Sequence, residues 1–166
     1  MTTTRAVLAS AALVLVSAIL APAVRGQALR NPRWTLTAAA EWLRAGDRSW
    51  GYGPAIAIRH DFDPTWGAEL KAALPAFGSS NGGGAAAELG ATYTAFEGPT
   101  EFGAMLGLTA FLVGDDSEFT GGGVGVVLAA HVTRWLTPGL GLTAGGNVRT
   151  AIGVFPAFYG GLAVRF

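Results

Sequence analysis

The sequence predicts an all-β chain: an eight-stranded antiparallel up-and-down transmembrane β-barrel, preceded by a cleavable signal peptide. Three observations predict it. Apolar residues recur at every second position through eight segments, which is the period of an extended strand and not of a helix. Prolines at 32, 64, 99 and 138 mark off units of 32, 35 and 39 residues, each long enough for two strands of about ten residues with a tight turn and a longer loop. Within the segments, charge is confined to one of the two faces.

Composition bounds the reading. The chain is 51% hydrophobic and 13% charged, yet after its N-terminus it has no run of the roughly 18 apolar residues that a membrane helix needs. Length favours one domain, with residues 27–166 as the barrel once residues 1–26 are removed. Cysteine is absent, which excludes disulfides, thiolate metal sites and a lipid-modified N-terminal Cys. Formal charge is zero, and removing Arg5 and Arg25 leaves nine basic against eleven acidic residues. No basic patch for nucleic acid is present.

Residues 1–26 begin with a single positive charge at Arg5, continue through an apolar run from Ala6 to Leu20 and reach small residues around Ala21 to Gly26, the pattern of a secretory signal peptide. Cleavage after Gly26 places Val24 and Gly26 at the two pocket positions, and cleavage after Ala23 would place Ala21 and Ala23 there.

The strands follow in order. Strand one sets Trp34, Leu36, Ala38, Ala40 and Trp42 outward against Thr35, Thr37, Ala39 and Glu41. Strand two, from Tyr52 to about Asp61, sets Tyr52, Pro54, Ile56 and Ile58 against Ala55, Ala57, Arg59 and Asp61. Strand three alternates Trp66, Ala68, Leu70, Ala72 and Leu74 with Gly67, Glu69, Lys71 and Ala73. Strand four has Leu89, Ala91, Tyr93 and Ala95 against Glu88, Gly90, Thr92 and Thr94. Strand five has Phe102, Ala104, Leu106, Leu108 and Ala110 against Gly103, Met105, Gly107 and Thr109. Strand six faces Val124 to Val132 outward at even positions, with Gly125, Val127, Ala129, His131 and Thr133 inward. Strand seven sets Leu140, Leu142, Ala144 and Val148 against Gly141, Thr143, Gly145, Asn147 and Arg149. Strand eight sets Phe158, Gly160, Leu162, Val164 and Phe166 against Tyr159, Gly161, Ala163 and Arg165.

In this reading no Asp, Glu, Lys or Arg falls on the outward set, while the inward set holds Glu41, Arg59, Asp61, Glu69, Lys71, Glu88, Arg149 and Arg165. A soluble ligand-carrying barrel shows the reverse, an apolar lumen inside a charged exterior. A charge facing lipid at mid-depth costs about 2–4 kcal/mol, which accounts for its exclusion. Trp34, Trp66, Tyr93, Phe102, Trp135 and Phe166 gather near the proline rim, with Trp42, Tyr52, Phe77 and Phe158 near the other, as two interfacial girdles.

Phe158, Leu162, Val164 and Phe166 resemble the C-terminal insertion signal of bacterial outer-membrane barrels, with a terminal Phe and apolar residues at alternate positions before it. Over about Asn31 to Phe166 the chain resembles the small eight-stranded barrels of the OmpA-domain, OmpX or OmpW kind. The resemblance implies residence in the outer membrane of a Gram-negative bacterium and contact with outer-membrane lipid and lipopolysaccharide. It also implies insertion by the barrel assembly machinery, a monomeric state, and no cofactor, metal or nucleic acid. The peptidoglycan-binding module of full OmpA proteins is not expected after Phe166. With an even strand number both termini face the periplasm, so the proline rim is periplasmic. Its turns lie near Phe62-Asp63, Glu97-Gly98 and Trp135 to Thr137. The moderately longer connections 43–51, 75–84, 114–121 and 150–156 lie outside.

Two kinds of chemistry are open to the inward residues. Glu41, Arg59, Glu69, Lys71, Glu88, His131, Asn147 and Arg149 form a polar network. In it Lys71 faces Glu88, Glu41 joins Lys71, and Glu69 lies diagonal to Arg59. A belt of alternating sign would fill the lumen, since eight strands leave little room. Inward glycines, which add no side-chain volume, keep a narrow porin-like passage open as the alternative. His131 and Thr133 share a face at i and i+2, as a base and nucleophile would. They depart from the His-Ser pattern of lipid A deacylases in residue type, facing and depth, so no enzyme is expected; His60 has no evident partner. The Asp115-Asp116-Ser117-Glu118 run reads as a solvated loop without the spacing of a calcium loop. Asn81 to Gly84 lacks the Lys-Ser/Thr of a phosphate loop.

Overall fold

The computed structural model describes residues 34–45, 49–77, 83–114, 119–150 and 153–166. The predicted signal peptide, Pro32 and the Asp115–Glu118 run lie outside them. Nine strand segments occur in chain order: β1 Trp34–Ala45, β2 Ser49–Asp61, β3 Trp66–Ala73, β4 Ala76–Phe77, β5 Gly83–Glu97, β6 Thr100–Gly114, β7 Phe119–Trp135, β8 Leu140–Thr150 and β9 Val154–Arg165. Every pairing is antiparallel; β2 and β5 each pair with both β3 and β4, the other pairs join chain neighbours, and β1 pairs with β9 to close the sheet. Closure is completed by Trp34 N–H donating to Phe166 O (3.1 Å) and Phe166 N–H to Trp34 O (2.9 Å). A closed sheet leaves no edge with unpaired backbone groups, the condition for a β-structure in lipid.

β3 and β4 are successive parts of one stave, so the barrel has eight staves, and the third is interrupted at Leu74-Pro75. The interruption has a local cause. Pro54 O accepts from Leu74 N–H (3.0 Å) and Pro75 O accepts from Gly84 N–H (2.8 Å), but neither proline has an N–H to return. One ladder bond is therefore missing on each side of this stave.

The turns at the proline rim repeat one design. Asp63 Oδ1 accepts from the N–H groups of Thr65 (2.7 Å) and Trp66 (2.8 Å), and Thr137 Oγ1 accepts from those of Gly139 (3.4 Å) and Leu140 (3.0 Å). In both, the first turn residue donates back to the first strand residue: Phe62 to Trp66 and Leu136 to Leu140, each at 2.9 Å. These are side-chain-capped turns with proline following the capping residue. The third turn is Gly98-Pro99, with Gly98 at φ 58°, the left-handed value that a two-residue II′ hairpin needs at its first position.

At the opposite rim the connections are shorter than the sequence reading has them. The residues between strands there are only 46–48, 78–82, 115–118 and 151–153, because the strands run on into the Gly- and Ala-rich flanks. Pro156, read as loop, lies within β9 opposite Val148.

Alternation holds through every stave. The outer surface is a continuous band of large apolar side chains, with Leu106 at 62% exposure midway along β6. One correction applies to the charge rule. The staves reach farther than the period alone indicates, and Arg44, Glu97 and Arg134 occupy the outward phase at strand ends, all exposed. At a membrane interface such a charge costs only about 0–1 kcal/mol, so the rule is one of mid-depth. Leu36 and Val164, which are register partners, are outward in phase yet buried.

Leu106→Arg is expected to lower the free energy of unfolding from lipid vesicles by about 2–4 kcal/mol; in a water-facing position the same change would stay within about 0.5 kcal/mol. Urea titration of the vesicle-embedded protein separates the two.

Candidate functional site

The lumen is filled by two ionic clusters and an apolar layer. The first cluster lies at the middle of the barrel and joins β1, β3, β5 and β8. Arg149, fully buried, donates from Nη2 to Glu41 Oε1 (2.7 Å) and from Nε to Glu88 Oε1. Asn147 Nδ2 also donates to Glu88 Oε1, at 3.3 Å. Lys71 Nζ pairs with Glu41 and stands 4.0 Å from Glu88 Oε2. Its ammonium also lies over the Tyr159 ring, 4.3 Å from the centroid, a cation–π contact that is strong when desolvated. Two cations and two carboxylates therefore balance.

The second cluster lies toward the proline rim and centres on Glu101 of β6. Glu101 Oε1 accepts from Arg59 Nη1 (2.7 Å), and Oε2 accepts from Trp135 Nε1 (3.1 Å) and from Arg165. His131 Nε2 stands 3.5 Å from Glu101 Oε1 and 3.3 Å from Arg59 Nη1. Arg59 Nε meets Asp61 Oδ1 at 2.9 Å. The Arg165 guanidinium is 3.9 Å from the Trp135 ring centroid and 5.3 Å from that of Phe96.

Beyond the first cluster, toward the loop rim, Leu43, Ala55, Ala73, Ala86, Phe111 and Ala157 form an apolar layer. The Phe155 ring packs 5.0 Å from that of Phe111. This layer closes the loop end of the lumen with groups that offer water no partner.

Inward glycines make room for these plugs. A Cβ on Gly103 would enter the His131 ring, one on Gly145 the Tyr159 ring at 2.7 Å, and one on Gly141 would meet Trp135 Cε3 at 3.0 Å. Each of these glycines stands beside a large inward side chain. The space that could have formed a passage is occupied.

The structure brings Glu41, Lys71, Glu88, Asn147 and Arg149 together, and joins Arg59 and His131 in a separate group. Glu69 differs from expectation: it stands directly opposite Arg59 in register, but Arg59 turns to Glu101 and Asp61 instead. Trp135 also differs. It is inward and buried, donating to Glu101, and is not part of the outer girdle; its phase with Thr133 requires this. Trp34, Trp42, Trp66, Tyr93 and Phe102 are exposed, and Trp66 meets Tyr93 edge-on at 5.3 Å. Of the four residues read as an insertion signal, Phe158, Leu162 and Phe166 are exposed and Val164 is buried. His60 has a partner after all, its ring 4.3 Å from that of Trp34.

Sequence reasoning missed Glu101, Phe111 and Leu43 as lumen-filling residues, and it placed Tyr159 and Arg165 inward without their partners. Glu101 has a signal in the sequence, since it is in phase with Gly103 and Met105 and directly precedes Phe102. The His131 and Thr133 pair forms no dyad, because Thr133 Oγ1 donates to Thr143 Oγ1 (3.0 Å) while His131 faces the ion cluster. Among the described residues no three His, Cys, Asp or Glu side chains converge as a metal site.

Arg149→Met leaves Glu41 and Glu88 short of their main counter-ion and is expected to destabilise the barrel by about 3–5 kcal/mol. Arg134→Met at the exposed rim, where the side chain binds Thr100 Oγ1 (2.8 Å), is expected to cost less than about 1 kcal/mol. Chemical unfolding of both variants from vesicles checks the contrast.

No protein-family model matches the chain, and no curated protein matches it. Solved structures do. Neisserial surface protein A superposes with a TM-score of 0.64 at 18% identity, covering 80% of this chain and 97% of that one. Ail, the attachment invasion locus protein of Yersinia pestis, gives 0.59 at 14% identity, covering 81% and 97%. The N-terminal β-barrel domain of Pseudomonas aeruginosa OprF gives 0.59 at 16% identity, covering 82% and 100%. The chain has the fold of the small eight-stranded outer-membrane β-barrels.

Proposed function

We propose that the protein is an integral outer-membrane barrel with a structural, envelope-stabilising role and a closed lumen, and that it is not an enzyme. The observation that carries this is the inside-out distribution of polarity: charge inside, sealed by partners, and an unbroken apolar band outside. The exposed Trp, Tyr and Phe side chains anchor the band at the two headgroup levels. Lipid and lipopolysaccharide are then its constant neighbours. Phe158, Leu162 and Phe166 present the apolar face that the assembly machinery reads during insertion.

A structural role accords with the short connections at both rims, which leave little surface for a receptor or adhesin. A channel would have to cross two barriers in series, the Glu41-Lys71-Glu88-Arg149 belt and the Phe111 layer.

On a denaturing gel the folded protein is expected to migrate anomalously until boiled, and in planar bilayers to give no conductance steps. Glu41→Ala with Glu88→Ala is expected to remain closed, because the apolar layer persists, and adding Leu43→Ala and Phe111→Ala is expected to open steps. Stepwise conductance in the wild type would overturn the closed-lumen reading in favour of a narrow channel. Recovery in the soluble periplasm would overturn the membrane reading itself.

A further inference from the structure

Arg59 is held by two of its three guanidinium nitrogens. Nε stands 2.9 Å from Asp61 Oδ1 and Nη1 stands 2.7 Å from Glu101 Oε1, so the planar fork is fixed and cannot turn to a further partner. The third nitrogen, Nη2, is buried and has no hydrogen-bond partner among the described residues. On the ladder Arg59 lies between Thr35 of β1 and Glu69 of β3, directly opposite each. All three share the inward phase, and cross-strand neighbours of this kind have Cβ atoms about 4.5–5.5 Å apart. Thr35 is buried, and its Oγ1 is likewise without a partner. Among the described residues no hydrogen bond or ion pair joins Glu69 to another side chain.

These three residues are in the wall of one cavity of about 20 Å³, with Lys71, Glu101, His131 and Tyr159 among its other polar groups. The lining suits neither sign of bare ion: Arg59 and Lys71 oppose a cation, and Glu69 and Glu101 oppose an anion. It offers donors and acceptors together. A small neutral molecule able to donate and accept at once matches that mixture, and for one water roughly 10–15 Å³ and two to four polar partners suffice.

We propose that the cavity binds a single water, which accepts from Arg59 Nη2 and donates to the Glu69 carboxyl, with the Thr35 hydroxyl as its third partner. The direct pair that the register would allow between Arg59 and Glu69 is thereby replaced by a bridged one. Glu101 and Asp61 fix the guanidinium, and the water carries its remaining bond to the neighbouring stave. One neutral ligand satisfies three buried groups that would otherwise be costly to enclose, and it adds no charge to the lumen.

The test is a crystal structure of the detergent-solubilised barrel grown in rubidium chloride, at a resolution that orders buried water, beside NMR cross-relaxation between water and protein in deuterated micelles. One density peak is expected about 2.7–3.2 Å from Arg59 Nη2 and from a Glu69 oxygen, with no anomalous signal from rubidium. The Arg59 guanidinium protons are expected to show a cross-peak to water. Ala57 also lines the cavity, and Ala57→Val adds two carbons to its wall. This variant is expected to lose both the density peak and the cross-peak while Arg59 stays on Glu101. An anomalous peak would make the ligand a cation and overturn the proposal. So would a wild-type cavity without a peak, Glu69 bonded directly to Arg59, or a cross-peak that Ala57→Val leaves at full strength. If Ala57→Val does not fold, the wild-type density and cross-peak decide.

Discussion

The barrel depends on Arg149. Its guanidinium lies at the lumen centre and reaches Glu41 on β1 and Glu88 on β5, and Asn147 two residues before it on β8 shares the second carboxylate. Nothing local in the sequence unites these residues; they meet only when the sheet closes at the correct tilt and register. A buried ion pair seldom adds net stability over a well-packed apolar core, because each charge has left water. Its effect here is selectivity among alternatives. A stave slipped by one residue would turn every inward charge to lipid at about 2–4 kcal/mol each and leave its former partners unpaired inside.

Filling such a lumen is a problem of volume as well as charge. Eight staves enclose space for side chains and little else, and a long cation with its carboxylate needs a relief point on the wall opposite. The glycines supply it. His131 lies over Gly103 and Tyr159 over Gly145, each ring covering backbone that would otherwise be bare. Glycine in a strand usually weakens it; beside a flat ring in a tightly curved wall, a Cβ would be the greater loss. Abundant inward glycine is consistent with a packed interior as well as with a pore, and the neighbouring side chain decides which.

How much of this was readable follows from which interactions are periodic. Facing was legible almost throughout, because lipid punishes a mid-depth charge so heavily that the outward set is clean. Ladder partners were legible in part: Lys71 was read opposite Glu88 and stands there, whereas Glu69, read as diagonal to Arg59 across a tight turn, stands directly opposite it. Contacts across the lumen were not, since they depend on the tilt and stagger of all eight staves at once. Hence Arg59 goes to Glu101 on a distant stave in preference to Glu69 beside it. Strand ends were short by several residues at the loop rim, where Gly and Ala carry no period, and by one or two at the proline rim, which hid Glu101 and misassigned Trp135. The break at Leu74-Pro75 was written in two prolines, but their effect shows only when β2 and β5 are placed on either side.

The two ends of the lumen are closed by unlike chemistry, and this asymmetry bears on what the interior can exchange. At the loop end the Phe111 layer presents no donor or acceptor, so an ion passing it would lose its hydration with nothing in return. At the turn end Asp61 and Arg165 keep 17% and 13% of their side-chain surface exposed, so the ion cluster there touches solvent. The turn end is thus polar and meets solvent, and the loop end is walled by apolar groups.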